Sequence, residues 1–197
     1  MLGSAGLTVW LPEAPSRILT LVARRAEIAL AHTLVFLRSG PTIRAMPKMK
    51  AWKLPGSDGT TVTSASLKGR PYVLYFYPKD MTPGCTTEAC DFRDNMAKLK
   101  RAGVAVYGVS PDPIARHEKF IAKHDLNFVL LSAEDHAIAD KLGVWGPKKF
   151  MGREFDGIIR TTFLVDAAGN VAKEWRSVKV KGHADDVLAA AKELKKG

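Results

Sequence analysis

The sequence has two cysteines, Cys85 and Cys90, and both fall in one stretch, Tyr75-Phe-Tyr-Pro-Lys-Asp-Met-Thr-Pro-Gly-Cys85-Thr-Thr-Glu-Ala-Cys90. Pro83-Gly84 directly precedes Cys85, so Cys85 belongs to the first turn of the helix that follows. Unbonded backbone N–H groups and the positive end of the helix dipole favour an anion there. A thiol so placed gives up its proton readily, and the thiolate is the nucleophilic form. Oxidation follows thiolate character and exposure, which makes Cys85 the better candidate for a reactive position. The plain alternative is a pair of small buried hydrophobes. A zinc site is a poor fit: the cysteines are five apart instead of the usual C-x₂₋₄-C, and no nearby His pair completes four ligands. The spacing is not the Cys-x-x-Cys of dithiol exchange either. On an intact helix the two residues stand ~7.5 Å apart along the axis and roughly 140° apart around it. A disulfide needs Cα atoms within ~7 Å and suitably aimed Cβ vectors. If the two bond, the first turns of the helix must unwind. A reduced helical form and an oxidised, locally unfolded form are therefore expected.

The elements that must hold this centre are legible from Met49 onward. Pro55 to Gly59 and Lys68-Gly-Arg-Pro71 are turn clusters, with a short β-prone run at Thr60 to Thr63 between them. Tyr72-Val-Leu-Tyr-Phe-Tyr77 reads as a buried strand, followed by a loop from Pro78 to Gly84 and a helix to about Lys100. Val104 to Val109 is a second buried strand. Asp112 is read as the N-cap of a second helix, with Pro113 in its first turn. Phe128 to Leu131 is a third strand, and Asp135 to Leu142 a short helix ending at Gly143. Thr161 to Val165 and Val171 to Trp175 flank a hairpin turn, and Ala184 to Lys195 closes the chain as a helix. Strands alternating with helices imply an α/β fold, with a central mixed sheet covered by helices on both faces.

The 197 residues correspond to one domain, or one plus an appendage, against a usual domain of ~100–200 residues. At 46% hydrophobic residues the chain can bury a sizeable core, which excludes wholesale disorder. Two cysteines cannot staple a secreted scaffold, and no apolar run reaches the ~18–20 residues that span a bilayer. The formal net charge of +10 raises the question of a nucleic acid or other acidic partner. Residues 1–48 carry six basic and two acidic residues, and residues 49–197 carry 24 and 18, so the excess is spread. The densest spots, Lys148-Lys149, Lys179 to Lys181 and Lys195-Lys196, read as solvated faces, and no nucleic-acid module accompanies them. Residues 1–48 form an extension unlike the rest, an upstream mis-start or a targeting segment with Arg24 and Arg25 inside its apolar stretch. The working domain is expected over 49–197.

Within that domain, Pro78-x-x-x-Thr82-x-x-Cys85 resembles the active-site pattern of peroxiredoxins. The longer Tyr75 to Glu88 stretch is similar to the subgroup called bacterioferritin comigratory protein, or peroxiredoxin Q. Gly143-Val-Trp-Gly, Gly157-Ile-Ile-Arg160-Thr-Thr-Phe-Leu-Val-Asp166 and the turns at Gly59 and Lys68-Gly69 look like it too. The resemblance runs from about residue 52 to the C-terminus. It departs at Trp52 to Gly59, where the subgroup more often has an Ala-Pro-x-Phe lead-in.

The resemblance implies a thioredoxin-like fold and reduction of hydrogen peroxide and organic hydroperoxides. It makes Cys85 the peroxidatic cysteine and Cys90 the resolving one. A sulfenic acid on Cys85 would condense with Cys90 to a disulfide, which thioredoxin or a similar dithiol reduces. Arg160 corresponds to the arginine that reaches the thiolate from a distant strand. Thr82 would offer its hydroxyl to the peroxide, as would the backbone N–H of Gly84 or Cys85, and Pro78 would shape the pocket. Glu88 either orients the arginine or is a plain first-turn acid. His117, His124, His136 and His183 are assigned to the surface. No metal or cofactor is expected. The expected setting is a cytoplasmic monomer that binds neither membrane nor nucleic acid. Two other readings stay open on the residues alone: a disulfide reductase acting on proteins through the same cysteines, and a basic binding module on an inert fold.

Overall fold

The computed structural model describes residues 47–150 and 152–195. The reading of the N-terminal extension therefore falls, up to residue 46, outside the described residues. Among the described residues, nine strands and four helices follow in chain order: β1 (Lys53–Pro55), β2 (Thr61–Thr63), β3 (Tyr72–Phe76), α1 (Pro83–Arg101), β4 (Ala105–Ser110), α2 (Ile114–His124), β5 (Val129–Ser132), α3 (Ala137–Lys141), β6 (Trp145–Phe150), β7 (Arg153–Ile158), β8 (Thr161–Val165), β9 (Val171–Arg176) and α4 (His183–Leu194). Five strands make the expected mixed sheet, in the order β5-β4-β3-β8-β9. The apolar run Tyr72–Phe76 takes its centre, buried along its whole length, parallel to β4 and antiparallel to β8.

Alternation along β3 sends Val73 and Tyr75 to one face and Tyr72, Leu74 and Phe76 to the other. The first face packs against α1 through Ala89, Phe92, Met96 and Leu99, against α4 through Val187 and Ala191, and against Phe120 of α2. On α1 these residues recur at helical spacing, so one stripe of the helix lies on the sheet. Each large side chain so buried contributes about 2 kcal/mol. Tyr75 is accommodated because its parallel partner is Gly108. A Cβ there would come within 2.7 Å of the Tyr75 ring and of Leu130. The second face is covered by α3 and by the β1–β2 hairpin, with Trp52, Leu54, Val62 and Leu67 buried. The divergent lead-in thus docks as an antiparallel pair, Lys53 opposite Thr63.

Helix α1 stops at Gly103, whose φ of 79° suits a glycine, and Val104 N–H closes the end by donating to Leu99 O at 3.1 Å. Two sequence expectations are corrected. Asp112 does not cap α2: the cap is Pro113, and the Asp112 carboxylate turns inward to the Asp80 N–H. The β6–β7 hairpin was not foreseen. It forms a separate two-stranded ribbon, and Gly146, Pro147, Lys148 and Lys149 give it no strand-like pattern.

Candidate active site

The carboxyl ends of the parallel strands β3 and β4 carry the site, as is usual for ligand sites in α/β sheets. The chain leaves β3 at Phe76, runs through Pro78 to Thr82 and enters α1 at Pro83. Cys85 is the third helical residue, with Thr82 as N-cap and proline at the helix start. The Thr82 side chain makes no cap bond, and no acid stands in the first turn. The amides of Gly84 and Cys85 have no intrahelical acceptor by the geometry of a helix start.

Arg160 reaches this point because of strand register. β8 is antiparallel to β3, with Thr161 opposite Phe76. The residue before Thr161 therefore lies beside Tyr77, where the loop to Cys85 begins. Arg160 sits in the two-residue link between β7 and β8, not within a strand. Its Nη2 donates to Cys85 Sγ at 3.2 Å, and its Nη1 donates to Glu88 Oε2. Nη2 also lies 3.8 Å from where a Cβ on Gly84 would be. One guanidinium thus bridges the thiol and a carboxylate one helical turn further on.

Glu88 is 1% exposed, and its other oxygen has no partner among the described residues. Of the two readings of this acid, the geometry favours orientation of the arginine. Burial pushes the Glu88 carboxyl up to about 7, against the pull of the Arg160 charge. Arg160 is itself opposed by burial, yet it is held above its ordinary value by the Glu88 and Cys85 charges. Both groups are raised, which favours the neutral form of Glu88 and the charged form of Arg160; burial wins at Glu88 because it lies the deeper of the pair, at 1% side-chain exposure against 15%. A carboxyl raised in the folded state adds stability that is full at acid pH and is lost as pH rises through 7. Between pH 6 and pH 8 the wild type should lose about 1 kcal/mol relative to Glu88→Gln. Urea unfolding of both proteins at the two pH values measures this; parallel pH dependence would remove Glu88 as the titrating group.

Cys85 is 2% exposed and Cys90 half-buried, both as free thiols. Exposure therefore does not single out Cys85; its helix position and the guanidinium do. Helix α1 is continuous through both cysteines, as expected of the reduced form. The Thr82 hydroxyl donates to Lys79 O at 3.1 Å, which leaves its oxygen available as an acceptor. Pro78 is half-buried at the loop start, while Gly84 is exposed.

Three residues depart from their sequence assignment. His117 is fully buried against Asp80, and His183 is buried with Nε2 2.8 Å from Thr162 Oγ1. Burial pulls His183 down to about 4, so it is neutral at physiological pH. Lys148 is not part of a solvated face. Its Nζ donates to Ile158 O at 2.7 Å, two residues before Arg160, and burial lowers it. Its neighbour Lys149 is exposed as expected. No helix among the described residues is long and apolar enough to cross a membrane.

Numerous known proteins are similar to this chain. The pattern of the AhpC/TSA family matches residues 46–174. The chain is 48% identical over 153 residues to peroxiredoxin Bcp of Bacillus subtilis, which covers 78% of this chain and 98% of that one. It is 47% identical over 142 residues to peroxiredoxin Bcp of Escherichia coli, covering 72% and 91%. A solved structure concerned with alkyl peroxide reduction by the Xanthomonas campestris bacterioferritin comigratory protein superposes with a TM-score of 0.69. It is 42% identical and covers 73% of this chain and 92% of its own.

Proposed function

The chain belongs to the AhpC/TSA family, in its Bcp/peroxiredoxin Q subgroup, and from that membership we propose how its own residues carry out thiol-dependent peroxide reduction. Cys85 is the peroxidatic cysteine. The observation that carries this is the Arg160 guanidinium, donating to Sγ at 3.2 Å at the start of a helix. It stabilises the thiolate before reaction, and with the Gly84 and Cys85 amides it faces the negative charge that develops on the peroxide oxygens. The thiolate attacks one oxygen of the hydroperoxide, the O–O bond breaks, and the departing alkoxide or hydroxide takes a proton to leave as alcohol or water. Cys85 remains as the sulfenic acid. Thr82 accepts from the peroxide O–H, Pro78 walls the pocket, and Glu88 fixes the guanidinium.

Cys90 resolves the intermediate. Its sulfur attacks the Cys85 sulfur, water leaves, and the disulfide forms once the first turns of α1 open. A dithiol of the thioredoxin kind returns both thiols by exchange. Hydrogen peroxide and organic hydroperoxides are the substrates, the latter supported by the alkyl peroxide chemistry of the Xanthomonas campestris relative. We place the enzyme in the cytoplasm as a monomer, where a reducing dithiol pool sustains the cycle.

Stopped-flow mixing of the reduced protein with hydrogen peroxide tests the proposal. Cys85 should oxidise on the order of 100–1000-fold faster than free cysteine, the effect of well-aimed charge-stabilising donors. A rate equal to that of free cysteine would sink the peroxidase assignment.

A further inference from the structure

Asp80 is the most firmly tied residue of the loop before α1. Its side chain is fully buried. Oδ1 accepts the Tyr77 hydroxyl at 2.7 Å, and Oδ2 lies 2.8 Å from His117 Nδ1. The Asp80 N–H donates to Asp112 Oδ2 at 2.7 Å, and its carbonyl accepts from Arg116 Nη2 at 3.1 Å. The partners are anchored in turn. Asp112 accepts from Ser110 Oγ at 2.8 Å and, through its carbonyl, from Ser132 Oγ at 2.7 Å. Arg116 Nε lies 3.0 Å from Asp112 Oδ1. The loop is thereby tied to the ends of β3, β4 and β5 and to the start of α2.

One residue further on, this security ends. Met81 is exposed and holds a φ of 61°, which a non-glycine side chain adopts only under constraint. Pro83, Gly84 and Thr87 are exposed, and the helix start has no side-chain cap.

We propose that Asp80, held by His117, is the fixed pivot about which the first turns of α1 unwind, the path of the chain changing from Met81 onward. This rests on the reading of Cys85 and Cys90 as a disulfide-forming pair. Freeing Asp80 would strand a buried carboxylate and a buried imidazole, the costliest kind of polar loss. Unwinding from Met81 gives up the contacts of Cys85 and Glu88 with Arg160, but it begins at an exposed helix start without a side-chain cap and releases Met81 from its left-handed conformation. The pivot also keeps Pro78 and Thr82, two residues to either side, in place for the peroxide step and guides the helix back afterwards. His117 is a positioning residue in this scheme, acting through Asp80.

Amide hydrogen exchange on the intact wild-type chain, compared between the reduced and peroxide-oxidised forms, tests this directly. The amides of Thr86 to Cys90 should lose protection by on the order of 100-fold on oxidation, while the Asp80 amide keeps its own. Loss of Asp80 protection together with that of Thr86 would overturn the pivot. The intact mass, two hydrogens lighter, reports the disulfide itself and so separates a failure of the pivot from a failure of the cysteine pair. A variant pair adds a kinetic reading. His117→Leu should slow Cys85 oxidation by about tenfold, the effect of losing a buried hydrogen bond, without slowing disulfide formation. His117→Asn, which restores a donor toward Asp80, should recover the first step. Equal slowing of both steps in His117→Leu, or no change in either, counts against the pivot.

Discussion

Cys85→Ser removes peroxide turnover down to the uncatalysed rate while the fold survives. A serine hydroxyl stays protonated at neutral pH even at a helix start, so the nucleophile is lost although every supporting group remains. Loss of a nucleophile costs enzymes ~10⁶ in turnover, more than loss of any single positioning contact. The substitution is nearly isosteric, and Arg160, which donates to Sγ at 3.2 Å, can donate equally to a hydroxyl. Thermal unfolding followed by circular dichroism should therefore show a native transition in the variant. The informative assay is peroxide-dependent oxidation of thioredoxin by wild type and variant side by side. Turnover persisting in a folded Cys85→Ser protein would move the chemistry to Cys90 and leave the arginine without a purpose.

Cys90→Ser has the second largest effect, and it falls on a different step. On the proposed mechanism the first oxidation uses Cys85, Arg160, Thr82 and the amides of the helix start, and it requires no thiol at position 90. Its rate should stay within about threefold of wild type, the scale of a minor change distant from the reacting atoms. The cycle then stalls, because the Cys85 sulfenic acid has no partner thiol. Mass spectrometry after one equivalent of peroxide should find a disulfide in the wild type and an oxygen adduct on Cys85 in the variant. Further peroxide should drive that adduct to the sulfinic acid. Wild-type thioredoxin-supported cycling in Cys90→Ser would refute the resolving role. A wild type that forms no Cys85–Cys90 bond would refute the unwinding of α1, since an intact helix holds the two sulfurs on diverging faces.

The reactive stretch was open to reading because its information is local. Pro83-Gly84-Cys85 sets a helix start and a thiol in its first turn within three residues, and an unbroken apolar run marks β3 as a central strand. Arg160 was reachable only through resemblance. Its nearness to Cys85 follows from the pairing of Thr161 with Phe76, a register that no neighbouring residue announces. His117 was misplaced, yet a signal existed: it stands three residues before Phe120 on α2, and helical spacing puts both on the buried stripe. Residue type alone points the other way, since histidine is less often fully buried than the aliphatic residues. Asp80 offered less, because its four bonds lead to residues 77, 112, 116 and 117, which only the tertiary fold assembles. Lys148 was hidden by its neighbour. Side by side, Lys148 and Lys149 look alike, but strand alternation turns one toward Ile158 O and the other to solvent.

The placement of Arg160 also bears on how the molecule comes to be reactive at all. Cys85 and the helix that carries it emerge from synthesis well before β8, and 75 positions separate the sulfur from its guanidinium. Contacts between distant parts of a chain close late and slowly compared with local ones. A growing or half-folded chain thus possesses the thiol and even its helix, but not the cation that arms it. On the proposed role of Arg160, fast reactivity toward peroxide should arrive only when β8 pairs with β3, so chemical competence is tied to a long-range step of sheet formation. The appearance of fast peroxide reactivity during refolding should then report the pairing of β8 with β3.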